Sequence, residues 1–133
     1  AERVKFLGYR KVEDLLPKIG LTILSSISEA LPLVILEGYA AGVPTVSTDV
    51  GSCRQLIEGL DDDDRSLGHS GAVVNIADPQ ALADAALALL TDHAAWHAAS
   101  RAGIARVERY YTDEQMFGHY RRVYESALTA ENG

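Results

Sequence analysis

Two glutamates near the start of an apolar helical segment have the types and spacing best suited to chemistry. Glu29 lies just before Pro32, which is typical of a first helical turn because its missing amide hydrogen has no partner there. The free amides and positive dipole at such a start favour an anion. Glu37 lies eight positions after Glu29. The two carboxylates can therefore accept hydrogen bonds from hydroxyls of a ligand whose anionic group binds at the helix start. The pattern fits a ligand with phosphate and several hydroxyls, such as a sugar nucleotide.

The helix that begins at Pro32 is predicted to end at Gly42, which can take a positive φ and is soon followed by a second proline. The segment is apolar on nearly every side, so we expect it to be buried on nearly every side. Glu37 would then be a buried carboxylate, and an unpaired one is destabilising. Its partner is either a ligand or an arginine such as Arg54.

The composition predicts one globular domain. The 133 residues suffice for one core, and the net charge of −7 argues against a nucleic-acid partner. A single cysteine excludes an internal disulfide and fits a reducing cytosol. We expect no signal peptide, and no apolar run approaches the roughly 20 residues that a membrane-spanning helix needs. We therefore expect a cytoplasmic domain, and the abrupt start before the first strand suggests a fragment.

Short apolar strands alternate with helices, which predicts parallel βαβ units in an α/β sandwich. The strands are predicted at residues 4–7, 22–24, 45–48 and 71–76, with 22–24 buried. The helices are predicted at residues 12–18, 32–41, 52–58, 79–90 and 94–109, and from a capping box at Thr112 and Gln115 to about residue 128. Ligands in such folds bind beyond the carboxyl ends of strands, and residues 25–32 are at such an end.

Three further groups of reactive residues are interpreted as structural. The aspartates at 61–64 are predicted to form a solvated loop rather than a metal site, because four consecutive acids cannot all face one ion. His93 and His97 have a spacing that zinc can use, but no third ligand is visible. Cys53 has no histidine near it in sequence, so a nucleophilic role is not supported.

Glu29 and Glu37, followed by GYAAGVPTV at 38–46, resemble the signature of the retaining GT-B glycosyltransferases of family 4. The other motifs of this family follow in the same order: VKFLG at 4–8, DVG at 49–51, GAVV at 71–74 and ADP at 77–79. Two more segments most resemble the branch of the family that serves bacterial Pel exopolysaccharide synthesis: GSCR at 51–54 and DRSLG at 64–68.

The resemblance implies a Rossmann-like parallel sheet with flanking helices, which is the C-terminal, donor-binding half of a GT-B fold without its first strand–helix units. It implies that Glu29 is the catalytic residue, in contact with hydroxyls of the donor sugar, and that Glu37 holds the ribose. The other implied donor-binding residues come from the helix start and from the loop after the first strand: Ala30, Leu31, Leu33, Gly8, Tyr9 and Arg10.

The implied reaction is a retaining transfer from a nucleoside-diphosphate sugar, with UDP-glucose as the specific expectation and without a metal or another cofactor. The implied partners are this donor, a growing polysaccharide acceptor bound through the absent N-terminal domain, and a membrane polysaccharide-synthesis complex. The fragment alone is expected to be inactive, because the family's phosphate-clamping residues lie upstream. Two alternatives stay open: a non-catalytic nucleotide-binding or assembly module, and a GT-B sugar-nucleotide epimerase.

The strand order implied by the family is 3-2-1-4-5-6, with residues 4–7 as the third strand and 22–24 as the fourth. The two absent strands would leave a gap between them. We expect either that these two strands pair directly or that copies of the chain associate through the exposed edge.

Overall fold

A computed structural model describes residues 3–28 and 32–112, together with residues 114, 125 and 129. In this part of the chain the sheet consists of strands β1 (Thr22–Leu24), β2 (Thr45–Thr48) and β3 (Gly71–Val74). All the strands are parallel, and β2 lies in the centre of the order β1-β2-β3. The predicted α/β class and parallel sheet with flanking helices are confirmed.

Helices connect and flank these strands, and one of them, at Asp62–Arg65, was not predicted. They are α1 (Val12–Leu15), which continues as a 3₁₀ turn over Leu16–Lys18, and then α2 (Leu33–Ala40), α3 (Cys53–Glu58), α4 (Asp62–Arg65), α5 (Pro79–Thr91) and α6 (His93–Tyr110). Asp78 begins α5 by accepting a hydrogen bond from the Ala81 amide at 2.9 Å. None of the helices in the described part combines the length and apolar character that crossing a bilayer requires. The final helix predicted from Thr112 and Gln115 falls mainly outside the described residues.

The prediction of a strand at residues 4–7 is wrong. These residues have no regular secondary structure, and Phe6 is 98% exposed. They are therefore not paired with β1, whose second edge has no strand beside it in the described chain. β1 is also not a buried strand, since Ile23 at this open edge is 55% exposed. Association of copies through the edge stays a prediction.

The core lies between the sheet, α2 and α3. It is formed by Ile35, Leu36, Tyr39, Val50, Cys53 and Leu56. Helix α6 packs across α2, and its Gly103 allows the close approach, because a Cβ there would lie 3.0 Å from Tyr39 Cδ1. Cys53 is fully buried, in keeping with its structural interpretation. One face of α2 is thus fixed against the rest of the domain.

The prediction of a solvated loop at residues 61–64 is wrong. The last three residues of this acidic run begin the short helix α4, and the Asp61 carboxylate caps that helix by accepting a hydrogen bond from the Asp64 amide at 2.9 Å. Asp64 is only 2% exposed. Its Oδ1 accepts a hydrogen bond from Arg106 Nε at 2.6 Å, and its Oδ2 accepts one from the Leu60 amide at 2.9 Å. The run therefore contains one structural, buried carboxylate.

Arg106 of α6 is fully buried, and all five of its N–H donors have partners. Besides the Asp64 carboxylate, they bind the carbonyl oxygens of Ile57, Asp64 and Gly68 and the hydroxyl of Ser70, at 2.8–3.2 Å. The guanidinium thus connects the end of α3, helix α4 and the residue before β3. We name this set of contacts the Arg106 network.

The burial of Tyr39 predicts how the stability of the domain depends on pH. Among the described residues its buried hydroxyl has no hydrogen-bond partner, and burial raises the pKa of Tyr39 above its usual 10.0. Above about pH 10 the unfolded chain therefore loses this proton while the folded chain keeps it, so stability falls as pH rises.

We expect Tyr39→Phe to unfold with at least the wild-type free energy at about pH 7, because a buried hydroxyl without a partner is destabilising by about 1–3 kcal/mol. Between about pH 9 and 11, urea titrations should show a smaller loss of stability for this variant than for the wild type. The control Tyr9→Phe changes an exposed ring and should follow the wild type. If the free energy of unfolding fell equally with pH in Tyr39→Phe and in the wild type, Tyr39 would not be the cause of the loss of stability.

Candidate functional site

The carboxyl ends of the three strands border one groove of about 440 Å³, which we call the carboxyl-edge groove. It is lined by Ser25, Ile27, Thr48, Ile76, Ala77, Asp78, Pro79 and Leu82. Ser25 follows β1 directly, Thr48 ends β2, and Ile76 lies just beyond β3. This is the edge at which open α/β sheets bind ligands, so residues 25–28 lie at a strand end as predicted.

Hydrogen bonds between neighbouring strand ends fix the floor of this groove. The Thr48 hydroxyl donates to the Ser26 carbonyl oxygen at 2.6 Å, and the Asp49 amide donates to the Val74 carbonyl oxygen at 2.9 Å. Ala77 turns the chain from β3 into α5 with a φ of +60°, a left-handed conformation that is uncommon for a residue with a side chain. The groove is therefore formed by ordered backbone.

Helix α2 is not buried on nearly every side, and Glu37 is exposed. Helix α6 and the core residues of α3 cover the face of α2 that carries Ile35 and Tyr39, but the elements of the described chain leave the opposite face open. Leu33 on that face is 47% exposed, and Glu37 follows it by four residues, one helical turn later. The prediction of burial was wrong because it was based on the apolar composition of the helix. This face has apolar residues, yet no element of the described chain covers it.

Arg54 was one of the two partners predicted for Glu37, but it does not pair with this glutamate. Arg54 Nη2 and Nε donate to Asp49 Oδ2 at 2.9 and 3.2 Å, and its Nη1 donates to Glu58 Oε1 at 2.9 Å. These hydrogen bonds raise the pKa of Arg54. Glu37 makes no ion pair with any residue that the structure describes. Its carboxylate is available to a ligand.

The other predicted site residues are only partly brought together. Glu29, Ala30 and Leu31 lie outside the described residues, whereas Leu33 shares the open face of α2 with Glu37.

The turn after residues 4–7 is present, since Gly8 has a φ of +62°. Tyr9 and Arg10 beside it are exposed, and Arg10 Nη1 donates to the carbonyl oxygen of Tyr9 at 2.9 Å. Among the described residues no ion pair joins Arg10 to Glu37. The structure therefore supplies the predicted turn but does not join its side chains to α2.

No group of three histidine, cysteine, aspartate or glutamate side chains in the described part could hold a metal ion. The His97 ring instead packs edge-on against Trp96, with the ring centroids 5.2 Å apart. The Trp96 indole N–H donates to the Gly20 carbonyl oxygen at 2.7 Å, which ties α6 to the turn before β1. His97 therefore has a ring contact within α6, and both His93 and His97 are exposed.

Sequence reasoning missed the second wall of the groove. That wall comes from the β3–α5 connection, where Ile76, Pro79 and Leu82 present apolar atoms. One signal was available in the sequence: apolar Ile76 ends a predicted strand and precedes a capped helix start, at the same edge of the sheet as residues 25–28.

Comparison with known proteins connects this geometry to a family. The family profile described as "Glycosyl transferases group 1" matches residues 1–92. The lipopolysaccharide core biosynthesis mannosyltransferase LpsB of Rhizobium meliloti (strain 1021) is 32% identical over 129 residues, which cover 96% of this chain and 35% of that protein. The N-acetyl-alpha-D-glucosaminyl L-malate synthase of Bacillus anthracis is 30% identical over 128 residues, covering 96% of this chain and 32% of that protein. The chain thus spans about a third of the length of these relatives.

Solved structures agree at the level of the fold. Sucrose-phosphate synthase from Thermosynechococcus elongatus superimposes with a TM-score of 0.77 and 24% identity, over 97% of this chain and 31% of that one. The C-terminal domain of a glycosyl transferase group 1 family protein (LpcC) from Francisella tularensis gives a TM-score of 0.64 and 18% identity, over 83% and 52% of the two chains. From the profile match and the relatives, this chain belongs to the group 1 family of glycosyltransferases.

Proposed function

We propose that this chain binds a nucleoside-diphosphate sugar as the donor half of a retaining, metal-independent glycosyltransferase. The observation that carries the proposal is Glu37, an exposed carboxylate without an ionic partner in the described chain, on a helix that follows the carboxyl end of β1. In a group 1 glycosyltransferase chain, a carboxylate at this place suits the hydroxyls of a bound nucleotide.

The residues take distinct roles in this proposal. Glu37 accepts hydrogen bonds from the ribose, and Glu29 accepts them from the donor sugar. The amides of Ala30, Leu31 and Leu33 face the sugar and the diphosphate, because the start of a helix favours anions. Pro32 has no amide to contribute. The turn at Gly8, Tyr9 and Arg10 lines the base.

The proposed chemistry moves the sugar without a metal ion. The bond between the sugar C1 and the diphosphate oxygen breaks, and a new bond forms between C1 and an acceptor hydroxyl oxygen with retention of configuration. The hydroxyl proton leaves with the departing nucleoside diphosphate. Fixed donors must stabilise the negative charge that develops on this leaving group.

The finer parts of the proposal are the donor and the biological setting. UDP-glucose is the proposed donor, and a Pel-type exopolysaccharide enzyme in the cytoplasm is the proposed whole protein. Their support is the resemblance of residues 51–54 and 64–68 to that branch. Neither relative described above is a Pel enzyme.

An amide NMR titration with UDP, and separately with UDP-glucose, tests donor binding. We expect shifts at residues 8–10 and 28–37 with both ligands, and larger shifts near Glu29 when the sugar is attached. The proposed function is contradicted if saturating UDP shifts no amide in these two segments, or if the shifts cluster elsewhere on the domain.

A further inference from the structure

We propose that two copies of this chain pair antiparallel through the open edge of β1, with Ile23 at the two-fold axis. In the described chain no strand lies beside this edge. The Thr22 amide donates to the Pro44 carbonyl oxygen at 3.0 Å, towards the chain that enters β2. Because successive residues of a strand direct their backbone groups to opposite sides, the N–H and C=O of Ile23 point away from β2. A further strand can join an edge of this kind.

The side chain of Ile23 makes this edge apolar. Thr22 faces α2, since its Cγ2 lies 3.8 Å from the position that a Cβ would take at Gly38. Successive side chains of a strand lie on opposite faces of the sheet, so Ile23 lies on the face away from α2, where it is exposed. In the proposed dimer the two Ile23 side chains lie opposite each other on one face, and each covers apolar surface of the other.

The edge lacks the charges that keep strand edges apart. Residues 19–28 contain neither a charged side chain nor a proline, although the chain has a net charge of −7. Natural proteins protect exposed edges with charged residues, especially lysine, or with proline. The edges of two copies can therefore meet without repulsion between like charges at the interface.

The hydrogen-bonding pattern of the edge identifies a second copy as the partner. A two-fold axis at Ile23 places this residue opposite its own copy, and it places Leu21 opposite Ser25 of the second copy. At alternate positions of an antiparallel pair the two opposed residues exchange both N–H···O bonds, so the outward groups of one edge satisfy those of the other. Both copies use the same surface, as in most two-fold dimers. Three strands from each copy then form one continuous sheet.

Sedimentation velocity at increasing protein concentration tests the association. A pairing of about five residues per copy is smaller than the interfaces of stable complexes, which bury about 1,200–2,000 Å², so we expect a weak dimer. With a Kd on the order of 0.1 mM, monomer dominates at about 10 µM and dimer at about 1 mM. A chain that is still monomeric at about 1 mM would overturn the proposal.

Two replacements of Ile23 locate the interface. Ile23→Lys places like charges opposite each other at the axis and should weaken the dimer about fivefold or more. Ile23→Pro removes the amide at the axis but no hydrogen bond to β2, because that amide points outwards, and proline is tolerated on edge strands. We expect this variant to weaken the dimer as well. If Ile23→Pro does not fold, Ile23→Lys alone decides, since it changes an exposed side chain.

The matched control is Phe6→Lys, which adds the same charge to an exposed apolar position outside the edge. This variant should dimerise as the wild type does. A dimer that is lost in Phe6→Lys would instead form through the exposed segment at residues 4–7. That result, or an unchanged dimer in Ile23→Lys, would overturn the proposal.

A disulfide cross-link tests the register. Opposed residues of a hydrogen-bonded antiparallel pair have Cα atoms about 5.5 Å apart, which is within the range of a disulfide. The native cysteine, Cys53, is fully buried, so Ile23→Cys adds an exposed thiol at the axis. On mild oxidation with copper phenanthroline we expect a covalent dimer of Ile23→Cys and little cross-linking of Phe6→Cys. Equal cross-linking of both variants, or none in Ile23→Cys at concentrations where it dimerises, would overturn the register. No nucleotide takes part in these measurements, so the inference and the proposed donor binding are tested independently.

Discussion

Arg106→Met is expected to lower the free energy of unfolding by about 3–5 kcal/mol, as found when one partner of a buried ion pair is removed. The substitution leaves the Asp64 carboxylate, which is 2% exposed, without its cationic partner. It also removes the donors that satisfy the carbonyl oxygens of Ile57 and Gly68. Because small domains are stable by only about 5–15 kcal/mol, the loss should be evident as an earlier midpoint in urea unfolding.

The matched control for this prediction is Arg101→Met on the same helix. Arg101 is exposed, so its replacement should change stability by less than about 0.5 kcal/mol. The variant Asp64→Asn keeps the shape of the side chain but leaves the buried Arg106 guanidinium without its carboxylate, so it should also be destabilised. A loss below about 1 kcal/mol in Arg106→Met would show that the Arg106 network is not a main support of the fold.

A double replacement separates the charge from the hydrogen bonds. In Asp64→Leu/Arg106→Met neither buried charge remains, so the double variant should recover part of the stability lost in Arg106→Met. Recovery should be incomplete, since the carbonyl oxygens that Arg106 binds still lose their donors. Strictly additive losses would indicate that the two side chains do not interact energetically, in conflict with the 2.6 Å hydrogen bond between them.

The local elements of the fold were predictable where residues with a clear backbone role mark their ends. Gly42 takes the positive φ expected of a helix stop, and Asp78 begins α5 as expected of a cap. The Arg106 network could not be predicted, because Asp64 and Arg106 are 42 residues apart and each is an ordinary surface residue by type. One indication existed in α6: Arg106 continues the spacing of the small residues Ala99 and Gly103 on its buried face.

Two of the failed predictions concern neighbours that are absent from the described chain. Residues 4–7 have an apolar pattern typical of a strand, but a strand needs a hydrogen-bonding partner, and none is provided. Helix α2 has the composition of a buried helix, yet the face with Leu33 and Glu37 is open. In both cases the sequence pattern indicated what the segment could bury, whereas burial depends on what lies beside it.

Glu37→Gln is expected to weaken UDP binding about tenfold to a hundredfold, measured by calorimetry or by the amide titration. A hydrogen bond to a charged group contributes about 1.5–3 kcal/mol, and about 1.4 kcal/mol corresponds to a factor of ten in affinity. The variant should remain folded, because Glu37 is exposed and makes no ion pair with the described residues. The control Glu108→Gln changes an exposed carboxylate on α6 and should bind UDP as the wild type does.

The comparison with Glu29→Gln separates the two proposed carboxylate roles. If Glu37 holds the ribose, its replacement weakens UDP and UDP-glucose by the same factor, because both ligands contain the ribose. If Glu29 contacts the sugar, its replacement leaves UDP affinity nearly unchanged and reduces the difference in affinity between UDP-glucose and UDP. An equal loss of UDP affinity in both variants would contradict this division, since UDP has no sugar for Glu29 to contact.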